Sequence, residues 1–279
     1  MVSVPSLGVV IVNYKTAGLT IRCVGSILEH GLAEAGNIVV VDNKSGDSSL
    51  DEFARSLDKG VRVVASDRNA GFGAGVNLGV RELAHDYVLI LNPDTFFMSD
   101  SISRVLDYMS AHPDVGIVGL DLVNPDSSRQ YSARRFYSVL DIVARRSKKV
   151  GSLLAKRIQR HLMMEAWTAE KPFDAEWVMG TGFIIRRDVF EAVNGMDERY
   201  FLYMEDVDLC ARVWGAGFRV QCYPGATLVH DHQRSSAASP FSFAGRKHIQ
   251  SLMLFARNHT LPLISSPGLR KFARQKRYH

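Results

Sequence analysis

Long apolar runs and paired cysteines are both missing from the sequence. No stretch of about 18 consecutive apolar residues occurs, so a membrane-spanning helix is not expected. The apolar residues 7–12 follow neither a basic segment nor a cleavage site, which argues against a secretion signal. The three cysteines, Cys23, Cys210 and Cys222, show neither a disulfide framework nor a metal-binding spacing. We therefore expect a cytoplasmic protein that carries these cysteines in its core.

Acidic residues are almost missing from two segments of the chain. Residues 129–160 contain ten lysines and arginines and a single acid, Asp141, and residues 234–279 contain nine and no acid. The first segment interleaves basic and apolar residues, as in a basic amphipathic helix lying on the cytoplasmic face of an anionic inner membrane. A solvated protein surface is the alternative. Nucleic acid is not expected as a partner, and the sequence is compatible with a homodimer.

Short β-rich runs alternate with helical patterns over the first 120 residues. This alternation predicts an α/β fold with a Rossmann-like, mostly parallel sheet flanked by helices. The expected strands are 8–13, 38–43, 61–66, 87–92 and 115–120, and the expected helices are 19–29, 49–57, 75–84 and 102–111. A basic helical stretch should follow, to about residue 164. The later elements are a strand at 177–186, helices at 188–193 and 204–214, strands at 218–223 and 226–231, and a helix at 246–258.

Polar residues close four of the predicted strands in succession. They are Asn13, the pair Asp42 and Asn43, Asp67 with Asn69, and the run Asn92-Pro93-Asp94. Asn and Asp are also ordinary turn residues, which is the alternative explanation for any one of them. Because ligands of open α/β sheets bind outside the carboxyl ends of the strands, four such ends in a row favour a shared ligand cleft.

The glycine-rich run 71–75 precedes a predicted helix. Glycine permits close backbone approach, and a helix N-terminus attracts phosphate, so a phosphate or diphosphate could bind here. A dinucleotide fingerprint would instead follow the first strand with the spacing G-x-G-x-x-G. The sequence therefore disfavours an NAD enzyme.

Asp94 is a candidate metal ligand. Mg²⁺ uses one or two carboxylates together with phosphate oxygens, and Pro93 stiffens the loop that presents this carboxylate. His230, which ends a late strand, is the candidate second ligand at a site that also suits Mn²⁺, with His232 as the fallback. The alternatives are a turn aspartate and a surface histidine.

The predicted helix 204–214 carries the candidate general base. Asp208 and Arg212 lie four residues apart, and we interpret them as a surface ion pair without a catalytic role. Asp206 shares its stripe with Leu209, Cys210 and Val213, so its carboxylate should face the apolar side in the first helical turn. Such a carboxylate at the edge of a cleft is a candidate base, and a helix-capping acid is the alternative.

Five motifs in a fixed order resemble family-2 glycosyltransferases of the GT-A fold, in their rhamnosyltransferase-like branch. The motifs are VVIVNY (9–14), VVDNKS (40–45), NAGFGAGVN (69–77), LNPD (91–94) and YMEDVDL (203–209). The resemblance covers residues 7–236. It implies an inverting, metal-dependent transfer of rhamnose or a similar sugar from a dTDP- or UDP-sugar to a saccharide or lipid-linked saccharide, in bacterial polysaccharide synthesis.

The resemblance also assigns roles to individual residues. It implies that Asp206, paired with Glu205, deprotonates the acceptor hydroxyl, and that Asp94 and His230 hold Mg²⁺ or Mn²⁺. Residues expected along the nucleotide-sugar are Asn13, Tyr14, Asp42, Asn43, Asn69, Gly71, Gly75, Asn77, Asn92 and Arg234. Trp177, Gly180 and Thr181 are expected on the acceptor side.

The chain departs from the family pattern in two places. Asn92 replaces the first acid of the Asp-x-Asp motif, which leaves one carboxylate for the metal. Relatives often read His-x-x-Gly-x-Ser where this chain has HDHQRSS (230–236), so a glycine is missing and Arg234 could meet phosphate directly.

The predicted organisation is a GT-A domain, 1–236, followed by a basic helical extension, 237–279. Within the domain we expect a nucleotide-sugar-binding half at 1–122, a basic helical insertion at 129–170 and an acceptor or catalytic half at 177–236. The competing functions are a sugar nucleotidyltransferase, for which the loop 12–20 has only one glycine and one lysine, and a non-catalytic nucleotide-sugar-binding module.

Overall fold

A computed structural model describes residues 6–146, 148–231 and 242–264. The strands in these ranges are β1 Leu7–Asn13, β2 Ile38–Asp42, β3 Arg62–Ala65, β4 Tyr87–Leu91, β5 Thr95–Phe96, β6 Val115–Val123, β7 Ala133–Arg134, β8 Phe173–Asp174, β9 Trp177–Val178, β10 Gly182–Arg186 and β11 Arg219–His230. The helices are α1 Ala17–Glu29, α2 Ser49–Ser56, α3 Phe72–Arg81, α4 Ser103–Ala111, α5 Val139–Arg146, α6 Lys148–Leu153, α7 Ala155–His161, α8 Arg187–Ala192, α9 Glu205–Gly215 and α10 Phe243–Asn258.

One large mixed sheet organises these elements. Its strand order is β3-β2-β1-β4-β10-β6-β11-β5, and β8 pairs with β11 beside that path. The strands β3, β2, β1 and β4 run parallel, and β10 is antiparallel to both of its neighbours, β4 and β6. The short strands β7 and β9 form a second sheet. The α/β class predicted from the sequence is thus confirmed, as is the mostly parallel first half.

The strands β1, β2 and β4 are buried along their whole length because nearly all of their residues are apolar. In β1, Val10 and Val12 pack on one side with Val76 of α3. Val9 and Ile11 pack on the other side with Cys23 and Ile27 of α1, among other residues. All three cysteines are buried, as expected. Helices on both faces hold the carboxyl ends of β1, β2 and β4 at one edge of the sheet.

Three of the predicted strands, all in the second half of the chain, are divided or joined differently in the structure. The segment 177–186 is one apolar run in the sequence, but it divides into β9 and β10, which belong to different sheets. The segments 218–223 and 226–231 form the single strand β11, whose register shifts between Tyr223 and Thr227. Gly225 lies there with a φ of +78°, so the interruption seen in the sequence is a bulge and not a strand end.

The basic segment folds as three short helices, α5 to α7, and not as one continuous amphipathic helix. Several of its arginines bind acids inside the protein: Arg129 pairs with Asp121, Arg135 with Glu176 and Arg157 with Asp141. Three of the ten basic residues of this segment are therefore neutralised within the protein. Within the described residues, no helix has both the length and the apolar character needed to cross a membrane.

Candidate active site

The ends of β1 and β2 are joined by a buried polar network. Asn13 Nδ2 donates to Asp42 Oδ1 at 2.8 Å and to Ser45 Oγ at 3.1 Å. Ser45 N donates to Asp42 Oδ2 at 3.0 Å, and the Ser45 hydroxyl donates to Oδ1. These bonds use three of the roughly four acceptor positions of the Asp42 carboxylate. One acceptor position remains, which is what recognition of a pyrimidine N3 hydrogen would require. Tyr14, half-exposed, follows directly.

Asn43 connects this network to the glycine-rich run. Its Nδ2 donates to Asn69 Oδ1 at 3.1 Å and to the carbonyl of Gly71 at 3.0 Å. Asn43 Oδ1 is buried and has no hydrogen-bond partner within the described residues. A buried acceptor without a partner is costly, so a ligand donor at this position would stabilise the site.

The glycines of the run 71–75 have packing roles of their own. A Cβ at Gly75 would lie 2.7 Å from Val12 Cγ1, so glycine here lets α3 approach β1 closely. Asn77, on the same helix, donates to the Met196 carbonyl at 2.8 Å and accepts from Met196 N at 2.8 Å. These contacts explain the residues structurally, and their nucleotide-sugar roles stay predictions.

Replacing Gly71 with alanine is expected to destabilise the protein by about 2–4 kcal/mol. Gly71 has a φ of +95°, and an added Cβ would lie 2.2 Å from the Phe201 carbonyl oxygen. Gly25→Ala is the matched control, because Gly25 lies within α1 with no atom within 4 Å of its would-be Cβ. That control should gain about 0.5–1 kcal/mol. Thermal or urea unfolding measures both, and effects of the same sign would contradict this view of Gly71.

Asp94 and His230 meet at the end of β4, as predicted, although they are far apart in the chain. The strand β5 pairs with the end of β11, and this pairing sets Thr95 opposite His230. Asp94 Oδ2 lies 3.3 Å from His230 Nε2. Asp94 Oδ1 is buried and has no partner within the described ranges. Asn92, just before, donates its backbone N–H to the Thr181 carbonyl at 2.9 Å, which joins this loop to the acceptor-side loop.

The hydrogen bond with Gln130 fixes which ring nitrogen of His230 carries the hydrogen. Gln130 Nε2 donates to Asn124 Oδ1 at 2.6 Å and to the His230 carbonyl at 2.9 Å, so its Oε1 faces His230 Nδ1 at 2.7 Å. Because Oε1 can only accept, Nδ1 carries the hydrogen. Nε2 and the Asp94 carboxylate then face each other as acceptors. Two acceptors that face each other in this way suit a metal ion or a proton between them.

Asp206 lies in the first turn of α9 and contacts the loop between β9 and β10. Gly180 N donates to Asp206 Oδ2 at 2.8 Å, and Val207 N donates to Oδ1 at 2.8 Å. Burial raises the pKa of Asp206, and these two donors and the nearby charge of Arg134 partly offset the rise. A partly buried carboxylate with a raised pKa, whose charged form two backbone donors favour, suits a general base.

Glu205 is buried beside Asp206 but lacks comparable donors. Its Oε2 has no hydrogen-bond partner within the described residues. Burial, together with the charge of Asp206, raises the pKa of Glu205 to about 8. Asp206 is therefore the member of the pair that ionises first, because its charge raises the pKa of Glu205 and the N–H groups of Gly180 and Val207 favour the charged form of Asp206.

Glu205 should make the protein less stable as the pH rises from about 4.5 to 8. A carboxyl group with a raised pKa binds its proton more tightly in the folded chain, so its contribution is greatest below pH 4.5 and is lost on ionisation. The slope is at most about 1.4 kcal/mol per pH unit. Relative to wild type, the melting temperature of Glu205→Gln should rise between pH 5 and 8.5. A constant difference across this range would contradict the raised pKa.

The expectation that Asp208 and Arg212 form a surface ion pair is wrong. Asp208 is 1% exposed, and its Oδ2 lies 2.7 Å from Arg212 Nε. On the other side, His259 Nε2 lies 2.8 Å from Asp208 Oδ1, so the C-terminal end of α10 covers the pair. Arg212 also donates to the carbonyls of Val193 and Gly195. The pair is a buried link between α9 and its neighbours.

The predicted acceptor-side residues lie around Asp206. Gly180 donates to its carboxylate, and a Cβ on Gly180 would lie 3.2 Å from Asp206 Cβ. Trp177 is buried and donates from Nε1 to the Arg135 carbonyl at 2.9 Å, and Thr181 accepts from Asn92. Two residues that the sequence reasoning missed, Gln130 and Arg134, come from an irregular segment whose pattern gave no signal. The predicted residues His232 and Arg234 lie outside the described ranges.

Comparisons with known proteins agree with this architecture. The chain matches the family described as "Glycosyltransferase like family 2" over residues 5–245. It is 29% identical over 239 residues to the N-acetylglucosaminyl-diphospho-decaprenol L-rhamnosyltransferase of Mycobacterium tuberculosis, covering 80% of this chain and 76% of that one. It is also 29% identical to rhamnosyltransferase WbbL of Escherichia coli, over 65% of this chain and 68% of that protein.

A solved structure supports the same fold. The mannosyltransferase PcManGT from Pyrobaculum calidifontis, in complex with GDP-Man and Mn²⁺, superposes with a TM-score of 0.65 at 18% identity. The alignment covers 98% of this chain and 70% of that one. The predicted GT-A fold is thereby confirmed, and so is the resemblance stated from the sequence motifs. The chain belongs to glycosyltransferase family 2 and is a glycosyltransferase.

Proposed function

We propose that the protein transfers rhamnose or a related sugar from a dTDP- or UDP-sugar to a hydroxyl group of a saccharide or lipid-linked saccharide, in bacterial polysaccharide synthesis. The observation that carries the proposal is the partly buried carboxylate of Asp206, which the N–H of Gly180 orients at 2.8 Å. The relatives named as rhamnosyltransferases support the choice of sugar.

The proposed chemistry is a single displacement with inversion. The acceptor hydroxyl oxygen forms a bond to the anomeric carbon of the donor sugar while its proton passes to Asp206. The bond from that carbon to the diphosphate breaks, and its electron pair leaves with the nucleoside diphosphate. Asp206 suits the first step because two backbone N–H groups favour its charged form and a raised pKa increases its affinity for the acceptor proton. Neither carboxylate needs to form a covalent intermediate in this scheme.

The pair Asp94 and His230 fits a divalent cation held together with the donor diphosphate. Asp94 offers a buried oxygen without a partner, and His230 presents Nε2 toward the same point. Within the described ranges, no group of three or more His, Cys, Asp or Glu side chains could hold a metal. Two protein ligands plus phosphate oxygens is the arrangement that Mg²⁺ and Mn²⁺ commonly accept. When bound, the cation would supply positive charge to the diphosphate leaving group.

The ends of β1 and β2 suit the nucleoside part of the donor. Asp42 retains one acceptor position in an otherwise filled network, and Asn43 Oδ1 lacks a partner. Tyr14, half-exposed, stands at the same edge with its ring available. These groups favour a thymine or uracil base, which carries an N3 hydrogen.

A transfer assay with a donor panel tests the proposal. The purified protein, with Mn²⁺ and a saccharide acceptor, is incubated separately with dTDP-rhamnose, UDP-sugars and GDP-mannose, and the products are followed by mass spectrometry. We expect glycosylated acceptor with a dTDP- or UDP-sugar. A parallel reaction holds a sugar 1-phosphate and a nucleoside triphosphate. Formation of a nucleotide-sugar there, without transfer in the first set, would identify a nucleotidyltransferase instead.

A further inference from the structure

Arg134, whose charge acts on Asp206, and Arg145, whose charge acts on Arg134, lack the ion-pair partners that three neighbouring arginines have. Arg134 lies in β7 and Arg145 in α5, and neither forms an ion pair with any acid of the described residues. By contrast, Arg129, Arg135 and Arg157 of the same basic segment each bind a carboxylate within 3.0 Å. Arg134, which is partly buried, and Arg145, which is exposed, have no acid at ion-pair distance within the described residues, although the charge of Asp206 acts on Arg134.

The contacts of these two guanidinium groups are weak. Arg134 Cζ lies 5.3 Å from the Trp177 ring centroid, Nη2 lies 3.4 Å from Met179 Sδ, and Nε lies 3.4 Å from the Tyr131 carbonyl. Arg145 Nη1 donates to the Tyr137 hydroxyl at 3.4 Å.

The Tyr137 hydroxyl lies between the two groups. It is also a hydrogen-bond partner of Arg134, and burial together with the neighbouring charge of Arg145 lowers the pKa of Arg134. Two cations kept close together with few strong acceptors form an arrangement that an anionic ligand would stabilise.

The position of Arg134 would place a bound anion on the acceptor side of the site. Arg134 pairs with Trp177 across the β7–β9 sheet, and the chain continues from β9 to Gly180, whose N–H holds the Asp206 carboxylate. An anion bound by Arg134 would therefore lie beside the acceptor hydroxyl. The donor diphosphate has its own proposed place near Asp94 and His230, at the end of β4 and β11.

Exposed apolar side chains lie on the helical segment that carries Arg145. Val143, on the same helix as Arg145, is 45% exposed, and Leu153 on α6 is 84% exposed. Residues 262–264 run along α5, with Val139 N donating to the Pro262 carbonyl at 3.0 Å, and Leu263 and Ile264 are both largely exposed. A ligand that reaches from Asp206 past Arg134 and onto α5 would thus meet a carboxylate, two cations and apolar side chains.

We propose that Arg134 and Arg145 bind the diphosphate of the acceptor, which is then a saccharide linked through that diphosphate to a lipid. The inference rests on the proposed function with Asp206 as base. The bidentate fork of arginine matches phosphate oxygens, which explains why both positions carry arginine in a segment that also uses lysine. The lipid chain would lie along the apolar surface of α5, α6 and residues 262–264.

Three acceptor analogues distinguish the contribution of the diphosphate to acceptor binding from that of the lipid chain. The three analogues carry the same sugar: an alkyl diphosphate ester, a diphosphate without the alkyl chain and a neutral alkyl glycoside. Arg134→Gln and Arg145→Gln should each raise KM for both diphosphate acceptors on the order of tenfold to a hundredfold. KM for the neutral glycoside and the dissociation constant of the donor should stay within about twofold. Arg134→Lys should recover part of the loss.

Arg160→Gln is the matched control, since Arg160 is an exposed arginine of α7 with no ion pair to any acid of the described chain. It should leave all three acceptors unchanged. Equal increases in KM for the neutral and the diphosphate acceptors, or weaker binding of the donor, would overturn the proposal. The arginines would then serve the fold or the donor site. If the single variants fold poorly, the wild-type enzyme is tested instead with inorganic diphosphate as an inhibitor. Inorganic diphosphate should compete with the two diphosphate acceptors and not with the neutral glycoside.

Calorimetric binding keeps this inference separate from the proposed function. The alkyl diphosphate analogue should bind the wild type in the presence of the nucleoside diphosphate, and each glutamine variant should bind it on the order of tenfold more weakly. If this holds without any sugar transfer, the proposed function fails and the arginine site stands. If transfer occurs and the arginine variants bind the analogue as wild type does, only the arginine site is refuted.

Discussion

Asp206→Asn is expected to lower kcat by about 10²–10⁴-fold, the usual contribution of a positioned general base. Asparagine has almost the same shape but cannot take the acceptor proton. Its side-chain NH2 group must face the N–H of either Gly180 or Val207, and two donors then oppose each other. A loss of stability of about 1–3 kcal/mol should therefore accompany the change. The donor dissociation constant should stay near the wild-type value. Steady-state kinetics and calorimetry measure the two effects.

Asp208→Asn is the matched control for that loss of stability. It makes the same charge change two residues further along α9, but in the buried link to Arg212 and His259. Its unfolding free energy should fall by about 3–5 kcal/mol because a buried cation loses its partner. Its kcat per folded molecule should change only a few-fold at a temperature where it remains folded. Wild-type kcat in Asp206→Asn, or similar losses in both variants, would contradict the assignment.

Asp94→Asn is expected to lower kcat/KM by about 100-fold or more and to abolish the effect of Mn²⁺ on donor binding. The substitution removes the negative charge and turns one of the two oxygens facing the proposed metal position into a donor. The measurement is a titration of a nucleotide-sugar with and without Mn²⁺, read as a thermal shift, in the wild type and the variant.

Asp231→Asn is the control for the metal prediction. Asp231 lies next to His230 at the same edge of the sheet, but its carboxylate is partly exposed and pairs with Arg22 at 3.5 Å. The Mn²⁺ dependence of donor binding should persist in this variant. If donor binding is indifferent to Mn²⁺ in the wild type, or Asp94→Asn retains the dependence, the metal role of Asp94 and His230 is refuted.

Strand ends were the part of the site that the sequence could predict. The end of a strand is visible as the point where an apolar run meets a polar residue, and parallel strands bring these points to one edge. Asn13 and Asp42 were expected together for this reason, and they share a hydrogen bond of 2.8 Å. Asp94 and His230 were likewise expected together, and the pairing of β5 with β11 brings them to 3.3 Å.

Contacts between distant elements could not be predicted. The spacing of Asp208 and Arg212 correctly gave a pair four residues apart, but burial depends on what covers it, and His259 comes from a helix about fifty residues later. Gln130 and Arg134 lie in an irregular stretch where no period marks a functional side chain. The split of 177–186 into two sheets was hidden because both parts are apolar and buried.

The anomeric configuration of the product tests the central claim most directly. The protein is incubated with a dTDP- or UDP-sugar and an acceptor, and the configuration of the new glycosidic bond is read by NMR from the one-bond carbon–hydrogen coupling at the anomeric position. A single displacement with Asp206 as base predicts a configuration opposite to that of the donor. Retention of the donor configuration would contradict it, because an intermediate on the enzyme or attack from the leaving-group side would then be required.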